Sequence, residues 1–408
     1  MKKNGYIANY LSQFNCIGSN CEDNCCCSNW TVHVDREHFE VYSKMQDKEL
    51  FNNKSRIIKN KNMTSEEDYG IIEFDSTNKC TFLTEDKLCK IHMVYGQDLL
   101  CNVCKVYPKI TKKVNDTFFQ TAQISCPEIA RLVLLSKNPP KWNLTKDQSF
   151  STMNTKLETI ENSNYTKKIN EIVYNIMQQR EYSLSKRLWL ISIFIEELSY
   201  LTTQKNINGK QKSINHALKK SKEMERYFPI NYIDISLELL IQGILRMRDK
   251  IYKEFNKEEH QRLKECLDLF IEGIDIKNNL RYSENRIVTY KKAYEKFYKS
   301  YVGKYDYIFE NYCLYYFQHY LFPYKLETLP NNFMNCILDI SILRFILFGI
   351  SASSIGVTQE IVIQLFQSFS KLFYHNEEAY KSYILQIYNQ LYAHYPKMNM
   401  CVSILLSQ

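Results

Sequence analysis

Ten of the fourteen cysteines lie within the first 126 residues, and five of them crowd into CIGSNCEDNCCCSNW (16–30). A segment that dense in thiols must be organised around them, as disulfides, as ligands of a metal or iron–sulfur cluster, or as catalytic groups. A disulfide framework needs an oxidising compartment. The N-terminus, MKKNGYIANYLSQFN, carries two lysines but lacks the apolar core of a signal peptide, so a cytoplasmic protein is expected. In a reducing cytosol, dense cysteines point to metal or redox chemistry.

The spacing runs Cys16-x4-Cys21-x3-Cys25-Cys26-Cys27, then Cys80-x8-Cys89-x11-Cys101-x2-Cys104-x21-Cys126-Pro127. The two-residue gap between Cys101 and Cys104 lets two thiolates converge on one metal, as in zinc knuckles, iron–sulfur sites and redox pairs. A Cys-Pro step such as Cys126-Pro127 also ends some ferredoxin ligand runs. Neighbouring side chains diverge, so at least one of Cys25, Cys26 and Cys27 faces elsewhere. His92, three residues after Cys89, is the best histidine for a mixed site, although a histidine on an apolar face bonded to backbone is the more ordinary outcome. Ten cysteines exceed the four that one zinc or one cubane cluster requires, which tilts the expectation toward a 4Fe-4S cluster, with zinc as the alternative. The chain has no GxGxxG after a strand, no Walker GxxxxGK and no HExxH. Cys21-x3-Cys25 is followed by Ser28, so the three-cysteine spacing of radical enzymes is also missing.

Beyond the cysteines the texture changes. SKNPPKWNLTK (136–146) reads as a linker, because paired prolines cannot continue a helix. Residues 150–408 hold four prolines and six glycines, too few turn residues for anything but long helices. RLWLISIFIEELSYL (187–201) and YIDISLELLIQGILRM (232–247) carry apolar residues at helical spacing. In the N-terminal part, WTVHV (30–34) and YGIIEF (69–74) read as strands, 35–62 as a charged helix, DSTNKC (75–80) as a turn, and 91–109 as a loop or helix bearing the Cys101/Cys104 pair. The expected fold is mainly α: a small irregular cysteine-rich domain with minor β (1–135), a linker (136–146) and a large α-helical domain (147–408).

Tyr290, Tyr294, Phe297, Tyr298, Tyr301 and Tyr305 recur at spacings of three and four, one aromatic face of a helix. Such a face packs a core with its hydroxyls outward, or lines a pocket for a cation; core packing is the expectation. The net charge of +8 is spread out, with 20 Lys and Arg against 18 Asp and Glu over residues 1–150. No basic face is concentrated enough to argue for nucleic acid. FILFGISASSIG (345–356) is interrupted by serines and shorter than the ~20 residues that span a bilayer, so no membrane span is expected.

Four stretches together resemble the flagellin lysine-N-methylase family: FNCIGSNCEDNCC (14–26), CTFLTEDKLCKIH (80–92), LCNVCKVYP (100–108) and SCPEIARL (125–132). The likeness covers about residues 6–135. Two departures accompany it: Cys27, Ser28 and Asn29 separate Cys26 from Trp30, and Lys109 follows Tyr107-Pro108 where the family has arginine. The resemblance implies a bacterial cytoplasmic enzyme that moves methyl groups from S-adenosylmethionine to flagellin lysines. It also implies a zinc or iron–sulfur site drawn from Cys16, Cys21, Cys25, Cys26, Cys80, Cys89, Cys101, Cys104 and Cys126.

Methyl transfer to lysine is an in-line displacement on a sulfonium methyl, and the amine must be neutral although a free lysine has a pKa of about 10.4. A site helps by desolvating the ammonium or by offering a carboxylate or tyrosinate as base. The sequence singles out no such group and no methyl-donor pocket. The competing classes are a non-catalytic, zinc- or cluster-stabilised protein-binding module on a helical scaffold, and a thiol relay through Cys101 and Cys104.

Overall fold

The computed structural model describes residues 3–27, 30–45, 57–148, 156–158, 163–203, 210–227, 233–254, 260–274, 295, 306–322, 328–374 and 376–407. The chain divides into two compact units, Met1–Leu132 with Trp142–Thr159, and Val133–Lys141 with Ile160–Gln408.

The first unit holds two small sheets. One has the strand order β7-β1-β6-β5-β8, from β1 (Lys3–Ala8), β5 (Lys109–Val114), β6 (Thr117–Ala122), β7 (Trp142–Gln148) and β8 (Lys156–Glu158). β5 and β6 form a hairpin whose two-residue turn places Asn115 at φ 52°, a conformation asparagine tolerates better than most residues. β1 pairs parallel to β6 and antiparallel to β7, so Trp142, inside the segment read as a linker, sits opposite Ala8. The other sheet sets β2 (Val32–Val34) and β3 (Ile57–Lys59) on either side of β4 (Gly70–Ile72).

The strands expected at 30–34 and 69–74 are present, shortened to three residues each, and alternate Val32 and Val34 inward with His33 less buried. The charged helix expected over 35–62 is corrected. α1 spans only Arg36–Lys44, capped by Asp35, and Ile57–Lys59 is a strand. Apolar Ile57 gains more from the sheet than a polar helix offers it. The 75–80 turn forms, with Asp75 Oδ1 accepting the amides of Thr77 and Lys79 at 2.8 and 3.1 Å. The stretch 91–109 carries two short helices, α2 (Lys90–Tyr95) and α3 (Asn102–Val106), and α4 (Pro127–Leu134) follows β6.

The second unit is helical: α5 (Ser163–Met177), α6 (Leu184–Thr203), α7 (Lys210–Met224), α8 (Ile233–Glu254), α9 (Gln261–Gly273), α10 (Tyr307–His319), α11 (Leu329–Ser351), α12 (Gln359–Phe373), α13 (Glu377–Tyr383), α14 (Leu385–His394) and α15 (Met398–Leu405). Both helices read from apolar spacing are there, as α6 and α8. The chain is mainly α, as its composition predicts.

α11 is longer than the apolar stretch read at 345–356. It is 23 residues long with mean hydropathy 1.9, long and apolar enough to cross a membrane, yet 89% of its most apolar window is buried inside the unit. It is a core helix, with α9 packed along it. That packing needs two glycines: a Cβ on Gly273 would lie 1.8 Å from the Gly349 carbonyl oxygen, and one on Gly349 would meet the Phe270 ring at 2.3 Å. The aromatic face at Tyr290, Tyr294, Phe297, Tyr298, Tyr301 and Tyr305 lies outside the described residues.

Candidate functional site

The thiols of the first unit are placed by tight local structure. Gly18, at φ 57°, opens a 3-10 turn over Gly18–Asn20 that leads into Cys21. Cys25–Cys27 form a second 3-10 turn, held where Asn24 accepts the Cys26 amide at 2.9 Å and donates to the Lys87 carbonyl at 3.1 Å. The Cys80 amide donates to the Cys26 carbonyl at 2.8 Å, joining the two halves of the cysteine pattern. Bridges between Phe74 and Cys80 and between Leu83 and Cys89 fix the intervening loop. Trp30 Nε1 donates to the Cys25 carbonyl at 2.8 Å, and its ring lies 5.0 Å from that of Tyr107. Asp35 ties α1 to α3, accepting the His38 and Asn102 amides, each at 3.1 Å.

This scaffold gathers Cys26, Cys80, Cys89, Cys101 and Cys104 into one cluster with Val32, Val34, Phe82 and Ile91. The Cys26 thiol bonds to those of Cys25 and Cys80, which raises Cys26 and lowers its two partners. Cys101 and Cys104 bond each other, which lowers Cys101 and raises Cys104. Cys126 faces Cys21 and Cys25, with burial pushing Cys126 up to about 12 and Cys21 up to about 11. Cys16 is exposed, and none of the described contacts joins it to the other thiols. His92 is also exposed, on α2.

The donor chemistry suits a thiolate-held group, since every one of these cysteines is free and the surroundings are apolar. The arrangement is paired rather than converged. Among the described residues, no three His, Cys, Asp or Glu side chains close on one point as metal ligands do.

The second unit contains a site the sequence reading did not find. Asp339, in the middle of α11, is fully buried. Its Oδ2 accepts the hydroxyls of Tyr312 and Tyr374, both at 2.9 Å, and its Oδ1 accepts that of Tyr380 at 3.0 Å. The Tyr312 and Tyr374 hydroxyls also lie within hydrogen-bond reach of each other, so their two protons are shared among three contacts, and the Tyr380 hydroxyl lies 3.2 Å from the Asn335 carbonyl. Burial carries the Asp339 carboxyl up to about 7, against the pull of the three hydroxyls. The one available signal was a single acid inside the apolar run 329–351.

A different buried carboxylate in this unit shows the usual solution. Glu310 on α10 is held by Arg187 at 2.9 Å and Arg180 at 2.7 Å. Asp339 has no such cation among the described residues.

Comparison with known proteins places this unit. A family model described as FliB lysine N-methylase C-terminal domain matches residues 170–400. The flagellar biosynthetic protein FliU of Salmonella muenchen is 26% identical over 145 residues, 35% of this chain and 82% of that protein. The lysine-N-methylases of Salmonella typhimurium strain LT2 and Salmonella choleraesuis strain SC-B67 are each 26% identical over 149 residues, 35% of this chain. That match spans only 36% of either methylase. No solved structure matches. The family signal in the helical half has no counterpart in any motif read from the sequence there, and with more than half of its length matched the chain belongs to the FliB lysine N-methylase C-terminal domain family.

Proposed function

We propose that this chain is a cytoplasmic, S-adenosylmethionine-dependent protein-lysine N-methyltransferase that acts on flagellin. The observation that carries the proposal is the family match over 170–400, with relatives named lysine-N-methylase and flagellar biosynthetic protein in support. In the reaction the sulfonium C–S bond breaks as the lysine N–C bond forms, the amine loses its proton, and S-adenosylhomocysteine leaves. The protein's task is to hold the two reactants in line and to keep the amine neutral in a water-poor site.

We further propose that the first unit binds a metal group through its thiols, an iron–sulfur cluster in preference to zinc. Cys26, Cys80, Cys101 and Cys104 would hold it, with Cys25 and Cys89 beside them and Cys21 with Cys126 as a second pair. Bound there, the group would tie residues 25–27, 80–89 and 101–104 together without entering the displacement. Cys26 and Cys104, held protonated by the neighbouring thiols, would ionise as the cation binds, which links binding to proton release.

The test is transfer from labelled S-adenosylmethionine to purified flagellin, read by mass spectrometry of its lysines, in air and under reducing anaerobic conditions. Methylated lysine in air without reductant supports simple displacement. No label on flagellin under either condition, with metal-replete protein, removes the proposal.

A further inference from the structure

We propose that the Asp339 cluster is an alkylammonium site that receives the side-chain ammonium of a substrate lysine, an inference that rests on the methylase reading above. The cluster draws its side chains from four helices of the second unit or their ends. Tyr312 and Tyr316 lie on α10 and Tyr320 just past its end, Tyr374 just past the end of α12, and Tyr380 in α13, which Asn376 caps by accepting the Ala379 amide at 2.9 Å. Ligand sites in helical bundles form at such places, from side chains on facing helices.

The tyrosines around Asp339 range from buried to half-buried. Tyr312 and Tyr316 are buried, whereas Tyr320, Tyr374 and Tyr380 are partly exposed. The rings of Tyr316 and Tyr320 lie 4.4 Å apart, those of Tyr320 and Tyr374 5.8 Å, and those of Phe373 and Tyr380 6.2 Å. Aromatic rings packed around a carboxylate are the chemistry that recognises an organic cation, through ring quadrupoles and a charge. A buried carboxylate without a cation is also costly, and the same unit supplies Glu310 with two guanidiniums while leaving Asp339 with hydroxyls alone. Protonation relieves that cost below about pH 7, and a bound organic cation would relieve it above.

Two organic cations belong to the proposed reaction, an ammonium and a sulfonium. The polar groups favour the ammonium. A carboxylate and hydroxyl oxygens are acceptors for N–H donors, which a sulfonium lacks. A carboxyl near neutrality also suits a group that takes up the amine's proton, with an ammonium N–H bond breaking and a carboxyl O–H bond forming.

The experiment titrates the full chain with n-butylammonium and, separately, with trimethylsulfonium, following tyrosine ring resonances and heat. The expected result is saturable binding of n-butylammonium, weakened about tenfold or more by Asp339→Asn, the loss typical of one charged hydrogen-bond partner. Tyr380→Phe, which keeps the ring, is expected to weaken it less. Binding should tighten as pH rises through about 7. The groups facing Asp339 are Tyr312, Tyr316 and Tyr320 from α10 and its end, Tyr374 and Tyr380 from α12 and α13, and Cys336 on α11 itself; burial pushes all of these up, so none titrates in that window.

Equal binding by wild type and Asp339→Asn overturns the proposal, as does preference for trimethylsulfonium. If Asp339→Asn fails to fold, unchanged binding in both Tyr380→Phe and Tyr374→Phe overturns it. The two readings fail separately. Asp339-dependent binding without flagellin methylation removes the methylase and keeps the site; methylation at the wild-type rate by Asp339→Asn does the reverse.

Discussion

Replacing Asp339 with asparagine gives a pH-dependent stability difference whose size follows from the structure. The carboxyl is carried from its ordinary 3.8 up to about 7 by full burial. A group raised in this way stabilises the fold fully when protonated, below 3.8, and that contribution is lost as pH climbs through about 7. At about 1.4 kcal/mol per tenfold change in proton affinity, the whole effect is about 4 kcal/mol. The part that falls between about pH 5 and about pH 8 is about 2–3 kcal/mol. Asparagine cannot ionise, so the variant should gain that much on the wild type over the same interval. Any misfit of its amide is the same at both pH values and cancels. Two units make a single global unfolding free energy ill-defined, so the assay is urea-dependent hydrogen exchange of the α11 amides, wild type against variant at each pH. A difference that stays constant with pH, or moves toward the wild type, would refute the reasoning.

Removing Glu310 as Glu310→Ala leaves the Arg187 guanidinium buried without its acid, and the same exchange measurement should show a loss of about 3–5 kcal/mol. Gly273→Ala should destabilise the α9–α11 packing by about 1–3 kcal/mol in the same exchange measurement, reversing the usual gain of alanine in a helix, because the added carbon meets backbone at 1.8 Å. Gly243→Ala should cost less, since the added carbon meets the Ile387 side chain and not backbone. Elemental analysis should find that Cys80→Ser and Cys101→Ser lower bound iron or zinc, whereas Cys16→Ser leaves it unchanged.

What the sequence disclosed follows the range of the interactions involved. α6 and α8 were readable because their apolar residues recur within one helix, and the 75–80 turn because Asp75 satisfies it locally. The strand Ile57–Lys59 was read as helix because its partner, Gly70–Ile72, lies across a turn and the strand is three residues long. β1 was not read at all, since it is completed by Thr117–Ala122 and Trp142–Gln148, more than a hundred residues away. The cysteine pattern pointed to thiol chemistry, and the fold gathers most of those thiols while leaving Cys16 and His92 exposed. Asp339 was invisible for the same reason as β1. Its hydroxyl donors stand 27, 35 and 41 residues away, on other helices. Among the described residues, Tyr312, Tyr374 and Tyr380 converge, and they share no short-range spacing in the sequence.

The most direct measurement is the intact mass of flagellin produced in cells together with the wild-type chain or with the Asp339→Asn variant, with protein levels of the two matched. The account predicts methylated lysines with the wild type and a large loss of methylation with the variant. Flagellin left unmodified by the wild-type chain, or modified equally by both, would contradict it.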